Sequence, residues 1–220
     1  GYAAERTELL TFINDNGIEN VVFVAADVHG TIVNNLTYQT APFQPQIATD
    51  AFEITTGSVA FDAPFGPTIA ALANSLGVIT PISYTQYLSL PVSSDMDSIP
   101  NDRDDYIKLY LDQQLANPLL NYDPVGLDNS SIQAQLLQGD YMATHTYGWT
   151  EFEIAPGSQV LTVTTYGILP YTANEMITMP STLLARTPEI VSQFRVTPKV
   201  TGNPIYLPLI NNAVAPTTDR

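Results

Sequence analysis

Apolar positions in residues 3–16 recur with a helical period, placing Leu9, Phe12 and Ile13 on one face of an amphipathic helix that Gly17 ends in a left-handed turn. An apolar run, Val21-Val22-Phe23-Val24-Ala25-Ala26, follows at once and predicts a buried strand. It passes without a turn residue into Asp27-Val28-His29-Gly30. Side chains alternate along an extended backbone, so Asp27 and His29 are expected to project from the same side where the strand runs out into a loop. A helix leading directly into a buried strand is half of a layered α/β unit.

The next stretch, to about residue 48, is polar and reads as loop; residues 51–60 then alternate as a second strand, with Glu53 near its start between Phe52 and Ile54. Residues 67–76 predict a short helix, and 77–100 carry the proline and serine punctuation of a long loop. Residues 102–115 place Ile107, Leu109, Tyr110 and Leu111 in helical register behind an acidic start that favours the helix dipole. Asn117-Pro118 turns the chain toward Tyr122-Asp123, and a polar interval runs to about Tyr141. Two strand-like runs, 147–154 and 159–166, flank Ala155-Pro156-Gly157-Ser158 and predict a β-hairpin, because Pro fixes one φ and Gly permits a positive one. Beyond residue 172 the pattern weakens, apart from an apolar piece at 205–210.

Composition narrows the classes. The 220 residues are 45% apolar, enough for a core, and seven basic against 22 acidic residues give a formal charge of -15. That charge argues against nucleic-acid backbones and anionic lipid surfaces as partners; an anionic substrate would need local positive charge, which a metal provides. No run approaches the roughly 20 apolar residues of a membrane span. With no cysteine, thiolate metal sites and thiol nucleophiles are excluded within this chain. Charged residues make up only 13%, with abundant Thr, Asn, Gln and Tyr, a balance commoner in secreted proteins.

The chemistry centres on Asp27 and His29, an oxygen and a nitrogen ligand suited to a divalent or trivalent metal. Their alternative is an ordinary polar strand end with Asp27 capping a turn. Glu53 is either a further carboxylate ligand or a surface group. His145, the second of two histidines, is expected to be a surface or hydrogen-bonded residue rather than a ligand. Asp95, Asp97, Asp102, Asp104 and Asp105 invite a calcium reading but lack the spacing and central glycine of an EF-hand loop, so a solvated loop before a charged helix start is expected.

Taken in order, these landmarks resemble the C-terminal half of the alkaline phosphatase D (PhoD-like) family of metallophosphoesterases. The resemblance rests on Gly1-Tyr2 before the first helix, Asp27-Val28-His29, Glu53-Ile54-Thr55-Thr56, Asn117-Pro118 leading to Tyr122-Asp123, and Tyr147-Gly148-Trp149 entering Phe152-Glu153-Ile154. It covers roughly residues 1–170, leaving 171–220 as a C-terminal extension packing on that portion of a catalytic domain. It implies a four-layer α/β/β/α sandwich with a multinuclear metal site at the strand ends, iron and calcium being the family's reported metals and zinc or manganese alternatives. Matched residue by residue, Asp27 and His29 take the places of the family's metal-ligating Asp and His, and Glu53 that of a later carboxylate ligand. The family's other ligands, an early cysteine, an aspartate, a tyrosine and an asparagine, lie in an N-terminal half outside this chain. Ala26 stands where glycine is usual, and Gly30-Thr31 where other residues often follow.

The sequence therefore predicts a secreted or periplasmic, metal-dependent hydrolase of phosphate mono- or diesters, active only together with an N-terminal half supplied as a separate or cleaved chain. Phospholipid or phosphotriester substrates belong to the same fold. The competing expectation is a non-catalytic, β-rich binding or structural domain of a secreted protein.

Overall fold

A computed structural model of the chain describes residues 2–57, 59, 63–92, 95–118 and 120–199. The apolar piece at 205–210 lies outside the described residues. Helix α1 (Ala3–Asp15) ends as its pattern requires, with Gly17 at φ 60°. Its buried residues are Leu10 and Ile13, whereas Leu9 and Phe12 are exposed, so the apolar stripe is rotated from the expected one.

Among the described residues, eight strands form two four-stranded sheets. The first contains β1 (Val22–Ala25), β2 (Thr31–Tyr38), β3 (Ile47–Thr55) and β5 (Met142–Ala143) in the order β1-β3-β2-β5. Only β1 and β3 run parallel; β2 pairs antiparallel with β3 and β5. The polar stretch expected as loop thus holds a central strand, β2, whose Val33, Leu36 and Tyr38 are buried. Conversely, β1 is not a buried strand but an edge strand: β3 is its one partner in the sheet and Val24 is 59% exposed.

The second sheet is antiparallel, ordered β4-β8-β7-β6, from β4 (Ala134–Gly139), β6 (Tyr147–Ile154), β7 (Leu161–Ile168) and β8 (Glu189–Val196). The hairpin forms as predicted, with Ile154 opposite Leu161 and the Ala155 amide donating to the Val160 carbonyl at 3.0 Å. Strand β8, from the weakly patterned end of the chain, inserts between β4 and β7.

Three apolar clusters join these layers. Val33, Phe52 and Ile54 of the first sheet meet Val163 and Phe194 of the second, with Leu127 and Tyr141 between them. On its other side the first sheet packs α1 through Leu10, Ile13, Leu36, Tyr38 and Ala51. Helices α2 (Phe65–Ser75), α3 (Pro81–Ser89) and α4 (Arg103–Leu115) build the third cluster from Ala70, Tyr87, Tyr106 and Ile107 with Met142 of β5. Helix α3 occupies part of the expected loop 77–100: Thr80 accepts from the Ser83 amide and Pro81 stands in the first turn, where its missing N–H costs nothing. The short helices α5 (Ala173–Thr178) and α6 (Pro180–Leu184) bury no residue, and the described elements make an α/β fold of one mixed and one antiparallel sheet with several helices. Among the described residues no helix is long and apolar enough to cross a membrane.

Candidate active site at the strand ends

β1 and β3 run parallel and end side by side at Ala25 and Thr55, the kind of edge at which α/β sheets hold ligands. Asp27 and His29 lie just beyond. They are not on extended backbone: the chain bends through Asp27–Gly30, with φ 81° at Asp27 and 60° at His29. Two side-chain-bearing residues in the left-handed region cost conformational energy, which Asp tolerates better than most, and such strain collects at functional sites. Asp27 is exposed and His29 half-buried.

The bend is held from four directions. Thr56 donates through its amide (2.9 Å) and hydroxyl (3.2 Å) to the Ala25 carbonyl, and the Thr55 hydroxyl reaches the Gly30 carbonyl at 3.2 Å. From the start of α2, the Phe65 amide donates to the His29 carbonyl at 2.9 Å. Thr144 presses on Gly30 so closely that a β-carbon there would stand 3.0 Å from its methyl group. The Thr-Thr pair of the Glu-Ile-Thr-Thr motif therefore clamps the bend, a role that a sequence reading centred on Glu53 missed.

Glu53 sits near the end of β3, opposite Phe23 of β1, and is half-buried. Alternation places it on the face of Ala51 and Thr55, away from the Phe52 and Ile54 side that meets the second sheet. Among the described residues, Asp27, His29 and Glu53 do not bring three ligand atoms within 4.8 Å of one another. Two hollows, one of about 100 Å³ beside Asn35 and Lys108 and one of about 490 Å³ along Pro81–Ser89, do not include them either.

Under the bend lies a buried polar network. Asp104 Oδ1 accepts from the Thr144 amide (2.8 Å), the Thr144 hydroxyl (2.6 Å) and His145 Nδ1 (2.8 Å). His145 Nε2 then accepts from the Tyr87 hydroxyl at 2.7 Å. Burial pushes the Tyr87 hydroxyl up from its ordinary value, so it keeps its proton, and donation from it to Nε2 is the arrangement complementary to Nδ1–H donating to Asp104. His145 is thus hydrogen-bonded, as expected, but in the interior at 1% exposure. The acidic segment departs further from expectation: Asp102, Asp104 and Asp105 are 2%, 2% and 3% exposed, not solvated. Asp102 caps α4 by accepting the Asp104 and Asp105 amides at 2.8 and 3.0 Å. Tyr87 could not be found from sequence, because its segment reads as loop.

As donors, an exposed carboxylate and a neighbouring imidazole fit a metal, and two protein ligands are fewer than such an ion takes. No curated protein and no solved structure matches the chain. A sequence profile described as PhoD-like phosphatase does match, over residues 1–114. That span holds the whole strand-end bend, its threonine clamp and the Asp104 support, and takes in more than half of the 220 residues, so the chain belongs to the PhoD-like phosphatase family.

Proposed function

We propose that the chain carries part of the active site of a metal-dependent phosphoric-ester hydrolase acting on mono- or diesters, with Asp27 and His29 as metal ligands. The observation that carries this reading is the clamped Asp27–Gly30 bend at the adjoining ends of parallel strands, in a family of phosphatases. Metal ions held there supply positive charge to the phosphoryl oxygens and acidify water. Asp27 offers a carboxylate at the surface where substrate arrives, and the carbonyl of His29, fixed by the Phe65 amide, orients the imidazole beside it. Glu53 is the third residue assigned to the metal centre; it shares a strand face with Thr55, which touches the bend.

The remaining ligands lie, in this proposal, on an N-terminal half that pairs with the open edge of β1. Support comes from the edge of β1, unpaired among the described residues, from Val24 at 59% exposure, and from the exposed Phe12 and Leu9 of α1 at 57% and 47%. Export to the periplasm or outside the cell agrees with the low share of charged residues, 13%.

The test is turnover of p-nitrophenyl phosphate and bis-p-nitrophenyl phosphate by the complete polypeptide supplied with iron, calcium, zinc or manganese. Activity should vanish in Asp27→Ala, fall in His29→Ala and Glu53→Gln, and leave thermal unfolding of the three variants near that of the parent. Undiminished turnover in Asp27→Ala sinks the assignment; no turnover with any metal moves the chain to a binding or structural role.

A further inference from the structure

Asp105 is 3% exposed, and among the described residues neither of its carboxylate oxygens meets a hydrogen-bond donor. A buried carboxylate in that state is costly unless something positive reaches it. It points into a gathering of its own kind. One oxygen each from Asp95, Asp102 and Asp105 lie within 4.8 Å of one another. Asp140, 6% exposed and in the turn before β5, interacts with Asp105 through its side chain and has its own Oδ2 without a donor. Three separate segments therefore converge: the loop before α4, the first turn of α4, and the β4–β5 turn.

These carboxylates are fixed rather than free to swing away. Asp95 accepts the Asp97 amide at 2.9 Å, Asp102 accepts two amides of α4, and Asp140 accepts the Tyr141 amide at 2.6 Å. Lys108, the cation whose field reaches Asp140, is engaged with Asp112 at 2.9 Å.

We propose that Asp95, Asp102, Asp105 and Asp140 hold a hard divalent cation of the calcium type, at a structural site separate from the Asp27–His29 bend. The donor set is all carboxylate oxygen with no imidazole or thiolate, which favours calcium over zinc or copper. The ion joins the three segments, and Asp104, next to two of its ligands, holds Thr144 and His145 under the bend. Its role is to brace the platform on which the strand-end residues rest. This inference does not depend on the hydrolase reading.

The experiment compares thermal unfolding of the full chain in calcium, in magnesium and in EDTA, with calorimetric titration of calcium. Calcium at about a hundred times its Kd should raise Tm by roughly 5–10 °C over EDTA. The shift and one equivalent of bound calcium should persist in the Asp27→Ala/His29→Ala double variant. Both should disappear in Asp105→Asn, which has nearly the same shape and relieves the crowding, so that its Tm in EDTA equals or exceeds that of the parent. A parent Tm indifferent to calcium, a shift retained in Asp105→Asn, or a shift lost in the Asp27→Ala/His29→Ala variant each overturns the proposal.

Discussion

Asp104 and His145 meet at 2.8 Å with both side chains sealed from solvent, at 2% and 1% exposure. The pair links the first turn of α4 to the segment entering the hairpin, and the imidazole lies flat enough on α2 that a β-carbon at Gly66 would stand 2.3 Å from its Cε1. Three elements are thus fitted around one ring.

Removing that ring should be among the most damaging single changes in the protein. His145→Ala leaves a buried carboxylate without its imidazole, and a loss of about 3–5 kcal/mol in urea unfolding is expected. Tyr87→Phe removes only the donor to Nε2 and should cost about 1–3 kcal/mol. A His145→Ala variant within about 0.5 kcal/mol of the parent would show that the network contributes little.

Gly66→Ala should be nearly as harmful as His145→Ala although it adds a single methyl group, because the ring is tied at both nitrogens, to Asp104 and to Tyr87, and cannot move away without breaking those bonds. In the double variant Gly66→Ala/His145→Ala the clash no longer exists, so the two costs should fall well short of adding. Strict additivity would place the damage of Gly66→Ala somewhere other than the ring.

Asp27 offers a sharper separation of stability from activity. Its φ of 81° suits glycine better than any side chain, so Asp27→Gly should raise stability by up to about 1 kcal/mol. The same variant should lose phosphate-ester hydrolysis in the complete enzyme. A stabilised, active Asp27→Gly protein would mean that aspartate is not there for chemistry.

The Asp50–Lys199 ion pair gives a pH signature. Hydrogen bonds from Lys199, at 2.5 Å, and from Ser131 hold Asp50 below its usual value. A carboxyl depressed in the folded state stabilises the protein above the unfolded pKa near 3.8, and that contribution is lost as pH falls through the lower folded value. Both side chains are about one-third exposed, so the effect should stay below about 1 kcal/mol. The Tm difference between the parent and Asp50→Asn should be positive at pH 6 and vanish toward pH 2; a constant difference would assign it to something other than charge.

Local signals located α1, α2, α4 and the hairpin because cap residues, helical period and Pro-Gly turn chemistry act over a few residues. Burial was less legible, because it depends on partners far along the chain. The run Val21–Ala26 looked internal, yet Val24 is exposed, and among the described residues no strand covers the outer edge of β1. β2 was obscured by Asn34 and Asn35 in mid-strand; Asn35 is accommodated by a 3.0 Å bond to Asp123. β8 was hidden by Ser192, Gln193 and Arg195, although Ser192 and Phe194 are each 1% exposed. For the site, the residue types at Asp27 and His29 were readable, but the left-handed bend that presents them was not. The acidic segment was misjudged for the same reason as β1: charge near a helix start usually means solvent, and here Asp140, far along the chain, closes over it.

The insertion of β8 between β4 and β7 sets an order of events during synthesis. Among the described residues β4 pairs in its sheet with β8 alone, Ala134 opposite Val196, so it waits as an unpaired strand until nearly all of the described chain has left the ribosome. The β6–β7 hairpin can close on its own meanwhile. Without residues 189–196, β4 and β7 would each lose the strand they pair with and Phe194 would be missing from the core between the sheets, leaving two strand edges open to wrong pairing.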